Sequence, residues 1–342
     1  MRIVMTSERL PPSRGGLSTV AAILDAGLTA RGHELVIVTG ERSREAYGTT
    51  ARIMRLNSLR HWWLYFRLLL QADVVLQNNI SSKTLILPLL LRKPTVVALH
   101  IWLETPDGRI TWRERLKILL LRRCTRIITP NLEITDRFGG DGQYVTNGYD
   151  EATFSQKREW CDREYAFVVV ARLIEDKGVR QLLEAFALVS QDRPDYVLNV
   201  VGTGPEEAKL MKLATDLNIY TKVRFLGALD PQGVSEVLNN SRVLCVPSMW
   251  DEVFGIVALE GMGCGLPVIA TNVSGLTDAH HGYGLLVEPN EEVIKNFAEA
   301  MKTITSTPNR PLDYLTDVEA YLKTRNRRAM VDAYETVMRE IC

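Results

Sequence analysis

The chain has 342 residues, of which 46% are hydrophobic and 24% charged. That is too apolar for disorder throughout, and the length suits two domains of about 150–170 residues each. Lys plus Arg equals Asp plus Glu at 41, which excludes a uniformly basic nucleic-acid binder.

Apolar β-rich runs alternate with helix-period segments along most of the chain. The first half offers strands at residues 2–7, 34–40, 51–56, 73–78, 95–100 and 126–130, with helices such as Leu17 to Arg31 and Arg113 to Arg123 between them. Continuous apolar strands separated by helices predict parallel strands buried on both faces, hence a doubly wound sheet. Residues 150–163 are polar and aperiodic, as a linker would be. Alternation then restarts with strands at 165–172, 196–202, 222–227, 242–248, 266–271 and 284–289, with helices such as Val179 to Ser190 and Pro205 to Leu217 between them. The pattern predicts two Rossmann-like domains facing a cleft, 1–155 and 156–310. Terminal helices at 311–342 follow the Pro308–Pro311 break, with a return onto the N-terminal domain as one option.

The segment LRHWWLYFRLLL at 59–70 combines four aromatic residues with Arg60 and Arg67. It fits either a helix packed in the core or one lying in a membrane interface, and residues 113–126 carry the same ambiguity. Residues 1–155 hold 21 basic and 14 acidic side chains, a net +7, and the remainder is −7. A basic first half suits an anionic acceptor or a membrane surface; chance placement together with attraction between domains explains it equally well. Five widely spaced cysteines without a Cys-x-x-Cys support neither a disulfide framework nor a zinc site. The N-terminus lacks the apolar run of a signal peptide, and the longest apolar run, 85–91, falls short of the roughly 18 residues of a span. The expectation is a cytoplasmic protein, with peripheral binding at the inner face of a membrane left open.

Ligands of open parallel sheets bind where loops leave the carboxyl ends of strands. After the first strand, Gly15-Gly16 opens a helix, which suits either a plain tight turn or a backbone approach to an anion. Arg172 and Lys177, closed by Gly178, could clamp a diphosphate or simply be solvated. Gly202 and Gly204 sit in GTGP, which lacks the third glycine of a dinucleotide fingerprint and disfavours NAD. In residues 247–271, Glu252 and Glu260 stand eight apart, with Phe254, Gly255, Ile256 and Val257 at an expected helix start. The carboxylates could accept sugar and ribose hydroxyls or form a hydrolytic pair, and the backbone N–H groups near 255–257 would face a phosphate.

RLIEDKG, the glycines at 202–205, RFLG at 224–227 and the Glu252–Glu260 pair, matching an E-x7-E motif, resemble retaining glycosyltransferases of family 4, with the GT-B fold. Gly15-Gly16, LTARGHELVIVT at 28–39, His100 and Asn147-Gly148 match in the first half. Ile101 and Trp102 follow the histidine, where the family often has Asp or Gly. The resemblance implies a nucleotide-sugar donor and a saccharide, lipid-linked or small-molecule acceptor. It implies that Arg172 and Lys177 hold the donor phosphates, Glu252 the sugar and Glu260 the ribose. Backbone at Phe254 to Val257 would support sugar and diphosphate. Gly15 and Gly16 would approach the phosphates from the other domain, and His100 would lie beside the sugar ring. A same-face displacement is expected, with a donor phosphate oxygen taking the acceptor proton. No Asp-x-Asp occurs, so neither a metal nor another cofactor is expected. The rival readings are a non-catalytic sugar-nucleotide binder, a hydrolase or epimerase of the same fold, and a nicotinamide-dependent oxidoreductase.

Overall fold

The computed structural model describes residues 1–13, 15–40, 48–103, 110–250, 252–306 and 312–342. Arg14 beside the glycine pair, Asp251 beside Glu252 and the Pro308–Pro311 break lie outside the described residues. The chain forms two compact units, Met1–Gly148 with Arg325–Cys342, and Tyr149–Thr324.

The first unit holds a seven-stranded sheet of β1 (Arg2–Ser7), β2 (Glu34–Thr39), β3 (Arg52–Arg55), β4 (Val74–Asn78), β5 (Thr95–Ala98), β6 (Arg126–Thr129) and β7 (Gly142–Tyr144), in the order β3-β2-β1-β4-β5-β6-β7. The pairings are parallel, for example Ile3 with Leu35 on one side and with Val74 on the other. β1 and β4 are buried along nearly their whole length, as strands covered on both faces must be. The sequence pattern missed β7. It is three residues long, contains a glycine and has no apolar run, and it is placed by pairing with β6. The helix Leu59–Gln71 buries Tyr65 and Leu69 against the sheet, while Leu59, Trp63 and Leu70 stay exposed. It is therefore half core and half surface.

The terminal helix Arg327–Glu340 packs on Gly16–Ala30. Gly27 makes the approach possible, since a Cβ there would stand 2.4 Å from Val331. Glu335 fastens the contact, accepting from Arg31 at 2.6 Å and pairing with His33 Nε2 at 3.1 Å. Arg31 and Arg339 hold the Glu335 carboxyl down to about 2.

The second unit holds β8 (Tyr165–Val170), β9 (Leu198–Val201), β10 (Val223–Gly227), β11 (Ser241–Val246), β12 (Val268–Thr271) and β13 (Gly284–Val287), all parallel, in the order β10-β9-β8-β11-β12-β13. Phe167, Phe186, Tyr196 and Phe297 anchor its core, with Phe167 edge-on to Phe186 and to Tyr196. The polar stretch after Tyr149 belongs to this unit. Ser235 Oγ donates to the Thr153 carbonyl at 2.7 Å, and Asn239 accepts from Lys157 N–H at 2.6 Å. The stretch lacks an apolar period because hydrogen bonds hold most of it and only Phe154, 5% exposed, and the partly buried Trp160 anchor it with carbon.

Both sheets share one winding. The first strand of each unit lies third in the order, and the fourth lies beside it on the other side. Loops leaving the carboxyl ends of β1 and β4, or of β8 and β11, diverge to opposite faces, and each divergence is a switch point where a ligand can enter.

Candidate active site

In the second unit the loops at the switch point carry Arg172–Gly178 after β8 and Pro247–Gly255 after β11. The two loops touch. Met249 N–H donates to the Asp176 carbonyl at 2.8 Å. Gly178 is left-handed, at φ 65°, and a Cβ there would stand 1.8 Å from the Pro247 carbonyl oxygen, so only glycine fits. This close passage sets Lys177 Nζ on Glu252 Oε1 as an ion pair. Ser248 Oγ donates to the same oxygen at 2.7 Å. The Lys177 and Glu252 side chains are 21% and 18% exposed, so the pair meets solvent while standing largely inside low-dielectric surroundings.

The loop around Glu252 is also held from behind. Thr271 Oγ1, at the end of β12, donates to the Ser248 carbonyl at 2.6 Å, and Gly275 N–H donates to the Glu252 carbonyl at 3.0 Å. Gly255 is left-handed, at φ 86°, and caps the helix Ile256–Gly263 without a side-chain cap. The first amides of that helix are available to an anion, and the helix dipole favours one there. Phe254 is 2% and Ile256 8% exposed. Their side chains anchor the turn, so backbone is what this turn presents; Val257 is half-buried. Arg172 is exposed, and its side chain has no hydrogen bond or ion pair among the described residues.

Glu260 lies inside the helix, half-buried. Its carboxyl has no hydrogen-bond partner among the described residues. Desolvation, aided by the like charge of Asp150, pushes it up to about 7. The two glutamates are therefore unlike: Glu252 is locked to a cation and a hydroxyl, and Glu260 is a carboxyl lacking both.

Gly202 and Gly204 lie after β9 with their Cα faces against the neighbouring loop. A Cβ would stand 1.8 Å from the Ala171 oxygen and 2.2 Å from the Leu173 oxygen, respectively. The Gly202 N–H donates to the Gly227 carbonyl at 2.7 Å. These glycines let the β9 loop pack on the one that bears Arg172.

The first unit carries the other singled-out residues at its own carboxyl ends. Gly15, at φ 120°, caps the helix Gly16–Ala30, again without a side-chain cap. A Cβ on Gly15 would meet nothing within 4 Å. His100 follows β5, and its backbone N–H points to Asn79 Oδ1 at 3.4 Å. Its ring Nε2 is buried without a partner, and desolvation lowers the ring to about 4. The imidazole is neutral at neutral pH, able to accept or donate but not to supply charge.

Pattern reasoning missed Ser248, Thr271, Gly275 and Asp150. A serine or threonine at a strand end is commonplace, and only the fold shows that two of them brace one glutamate. Among the described residues, no group of three or more His, Cys, Asp or Glu is placed to hold a metal ion. No helix among them is long and apolar enough to cross a membrane.

Two family models match the chain: Glycosyltransferase Family 4 over residues 14–142, and Glycosyl transferases group 1 over 150–316. D-inositol 3-phosphate glycosyltransferase of Corynebacterium jeikeium is 36% identical over 48% of this chain and 40% of its own length. N-acetyl-alpha-D-glucosaminyl L-malate synthase of Bacillus anthracis is 28% identical over 63% of this chain and 53% of its own. The matched part thus spans about half the length of these relatives. Among solved structures, HepE of Anabaena in complex with UDP and glucose superposes with a TM-score of 0.81 at 19% identity, covering 99% of this chain and 100% of that one. Sucrose-phosphate synthase from Thermosynechococcus elongatus gives 0.82 at 20% identity, covering 99% and 98%. The fold is GT-B.

Proposed function

The chain belongs to the group 1 glycosyltransferases, and from that premise we propose that it moves a sugar, with retention, from a nucleotide-sugar donor to a saccharide, lipid-linked or small-molecule acceptor. The observation that carries this reading is the Lys177–Glu252 pair, braced by Ser248 at the β8/β11 switch point beside an uncapped helix start. It offers a cation and free amides for a diphosphate and a fixed carboxylate for hydroxyls within one loop pair. The relatives named for transfer to inositol phosphate or malate, and the neighbour holding UDP and glucose, support the donor and acceptor classes.

In the proposed step the bond from the anomeric carbon to the diphosphate oxygen breaks. The acceptor oxygen bonds to the same face of that carbon, and a phosphate oxygen of the leaving diphosphate takes the acceptor proton. Charge grows on the diphosphate as it leaves. Lys177 and Arg172 offset it, where preorganised cations act most strongly. Glu252 holds Lys177 in place through Oε1 and keeps Oε2 for sugar hydroxyls. Glu260 accepts the ribose hydroxyls; hydrogen bonds to its ionised form lower its pKa on binding. His100 acts by hydrogen bonding.

On the acceptor side, the helix Trp112–Leu121 favours a lipid-associated substrate. Trp112, Leu116 and Leu119 form one outward stripe, 70%, 40% and 51% exposed, and arginines at 113, 115, 122 and 123 surround it. An apolar stripe framed by cations suits peripheral contact with an anionic membrane.

The test is incubation with UDP-, GDP-, ADP- and dTDP-sugars, with and without acceptors, in the presence and absence of chelator. Transfer with retained configuration supports the reading. Epimerisation, hydrolysis that acceptors leave unchanged, or no reaction with any donor refutes it. Loss of transfer in chelator refutes metal-free charge stabilisation by Arg172 and Lys177.

A further inference from the structure

In the first unit β4 ends in Asn78, with Asn79 directly after it, and both side chains are buried. Burying an amide costs stability unless its polar atoms are bonded, and asparagine is a poor strand residue. What explains the pair is that each side chain holds a different loop. Asn78 turns toward β1. Its Nδ2 donates to Ser7 Oγ at 3.1 Å and to the Leu17 carbonyl at 2.9 Å, and Ser7 Oγ donates to the Arg9 carbonyl at 2.7 Å. The loop from β1 to the helix Gly16–Ala30 is thus gripped at both ends. The Gly15 carbonyl opens that helix, accepting from the Ser18 and Thr19 N–H groups at 3.0 and 3.1 Å, so fixing Leu17 fixes the Gly15-Gly16 turn.

Asn79 serves the other side. Its N–H donates to the Ala98 carbonyl at 2.8 Å, one more rung of the β4–β5 ladder. In a parallel ladder the backbone carbonyl of that residue would next accept from the N–H two places beyond Ala98, which is that of His100. Asn79 instead turns left-handed, at φ 75°, a conformation asparagine tolerates better than most residues. Its side-chain Oδ1 accepts from the His100 N–H at 3.4 Å in place of the carbonyl. We infer that Asn78 and Asn79 are positioning residues for the transfer: Asn78 sets the Gly15-Gly16 turn that serves the donor, and Asn79 sets the His100 that serves the sugar. The inference rests on the proposed function and on the parts expected there of Gly15, Gly16 and His100. Each asparagine acts through the loop it holds. Because the two are consecutive, they cannot shift independently, and both loops keep one mutual placement.

The experiment is steady-state kinetics of the full chain with the sugar nucleotide and acceptor that the donor panel turns over. Asn79→Gly keeps the left-handed turn without strain and removes only the side chain. It is expected to lower kcat about tenfold or more while donor KM stays within about threefold. Asn79→Asp keeps an acceptor oxygen on a residue that tolerates the same turn, and is expected to bring kcat back to within about threefold of the parent. Asn78→Ala is expected to raise donor KM about fivefold or more and to change kcat less. Ser7→Ala removes one of the two grips, should act in the same direction more weakly, and takes its place if Asn78→Ala does not fold. Hydrogen exchange of the chain without substrate is measured alongside, and the His100 amide is expected to exchange about fivefold faster or more in Asn79→Gly. An active parent whose variants keep both kinetic constants, or change them without this split, would mark the asparagines as structural only and overturn the inference. Unaltered exchange of the His100 amide in Asn79→Gly, or failure of Asn79→Asp to restore kcat, would remove the hold of Asn79 on His100. A parent inactive with every donor refutes the transferase reading, and the exchange rates still decide whether Asn79 holds His100.

Discussion

Glu260→Gln isolates the cost of keeping a carboxyl half-buried without a hydrogen-bond partner. In the folded chain Glu260 holds its proton to about pH 7, against an ordinary value of 4.5. The folded state therefore binds more protons than the unfolded state between those values, and stability must fall as pH rises through that window. A shift of that size corresponds to at most about 3 kcal/mol, reached above pH 7 and absent below pH 4.5. The side chain keeps part of its surface in water, which makes this an upper bound. Glutamine has the same shape and no titration, so the variant escapes the loss. Urea unfolding at intervals from pH 4 to 8.5 is the assay. The variant is expected to match the parent at the acid end and to exceed it by about 1–3 kcal/mol at pH 8. Its affinity for nucleoside diphosphate is expected to fall about tenfold or more, since a charge-assisted acceptor is gone. Asp150→Asn should recover part of the stability difference, because Asp150 is the second cause of the shift. Parallel stability profiles for parent and Glu260→Gln would show that the folded carboxyl titrates normally and would refute the reasoning.

Lys177→Met is expected to lower kcat by about 100-fold or more, and Glu252→Gln by about tenfold or more; steady-state kinetics at saturating donor, at a temperature where each variant is folded, decide this, and an unaltered kcat in Lys177→Met would remove its assigned role. Gly178→Ala forces a Cβ to within 1.8 Å of the Pro247 oxygen at a left-handed position, so a loss of about 2 kcal/mol or more together with weakened donor binding is expected in urea melts and titration. Glu335→Gln removes one of the two carboxylate partners of Arg31 and the Nε2 partner of His33, leaving the Arg31–Asp332 pair at 2.6 Å, and should loosen the terminal helix, seen as faster hydrogen exchange across Arg327–Glu340; unaltered exchange there would mean that packing and the Asp332 pair suffice to hold it. Replacing Trp112, Leu116 and Leu119 together by Ser should abolish flotation with anionic vesicles while preserving the fold by circular dichroism, and a parent chain that does not float would end the membrane contact.

Local sequence determined the secondary elements and hence the class of fold. Apolar runs such as those at β1, β4 and β8 can lie only between covering layers, and the helices between them supply those layers. It also marked where chemistry would gather, because Arg172, Lys177, Glu252 and Gly255 follow strands directly. The pairing of those residues is not local. Lys177 and Glu252 are 75 positions apart and meet because β8 and β11 become neighbours when the chain reverses its winding, an order that periodicity does not encode. The difference between Glu252 and Glu260 is likewise tertiary: one has Lys177 and Ser248 on its oxygens, the other has only buried surroundings and Asp150. β7 was invisible because three residues without apolar pattern become a strand only beside β6. Alternation of apolar and polar residues reports how each segment is covered; strand order and close backbone passages, as at Gly178, decide which side chains share a site.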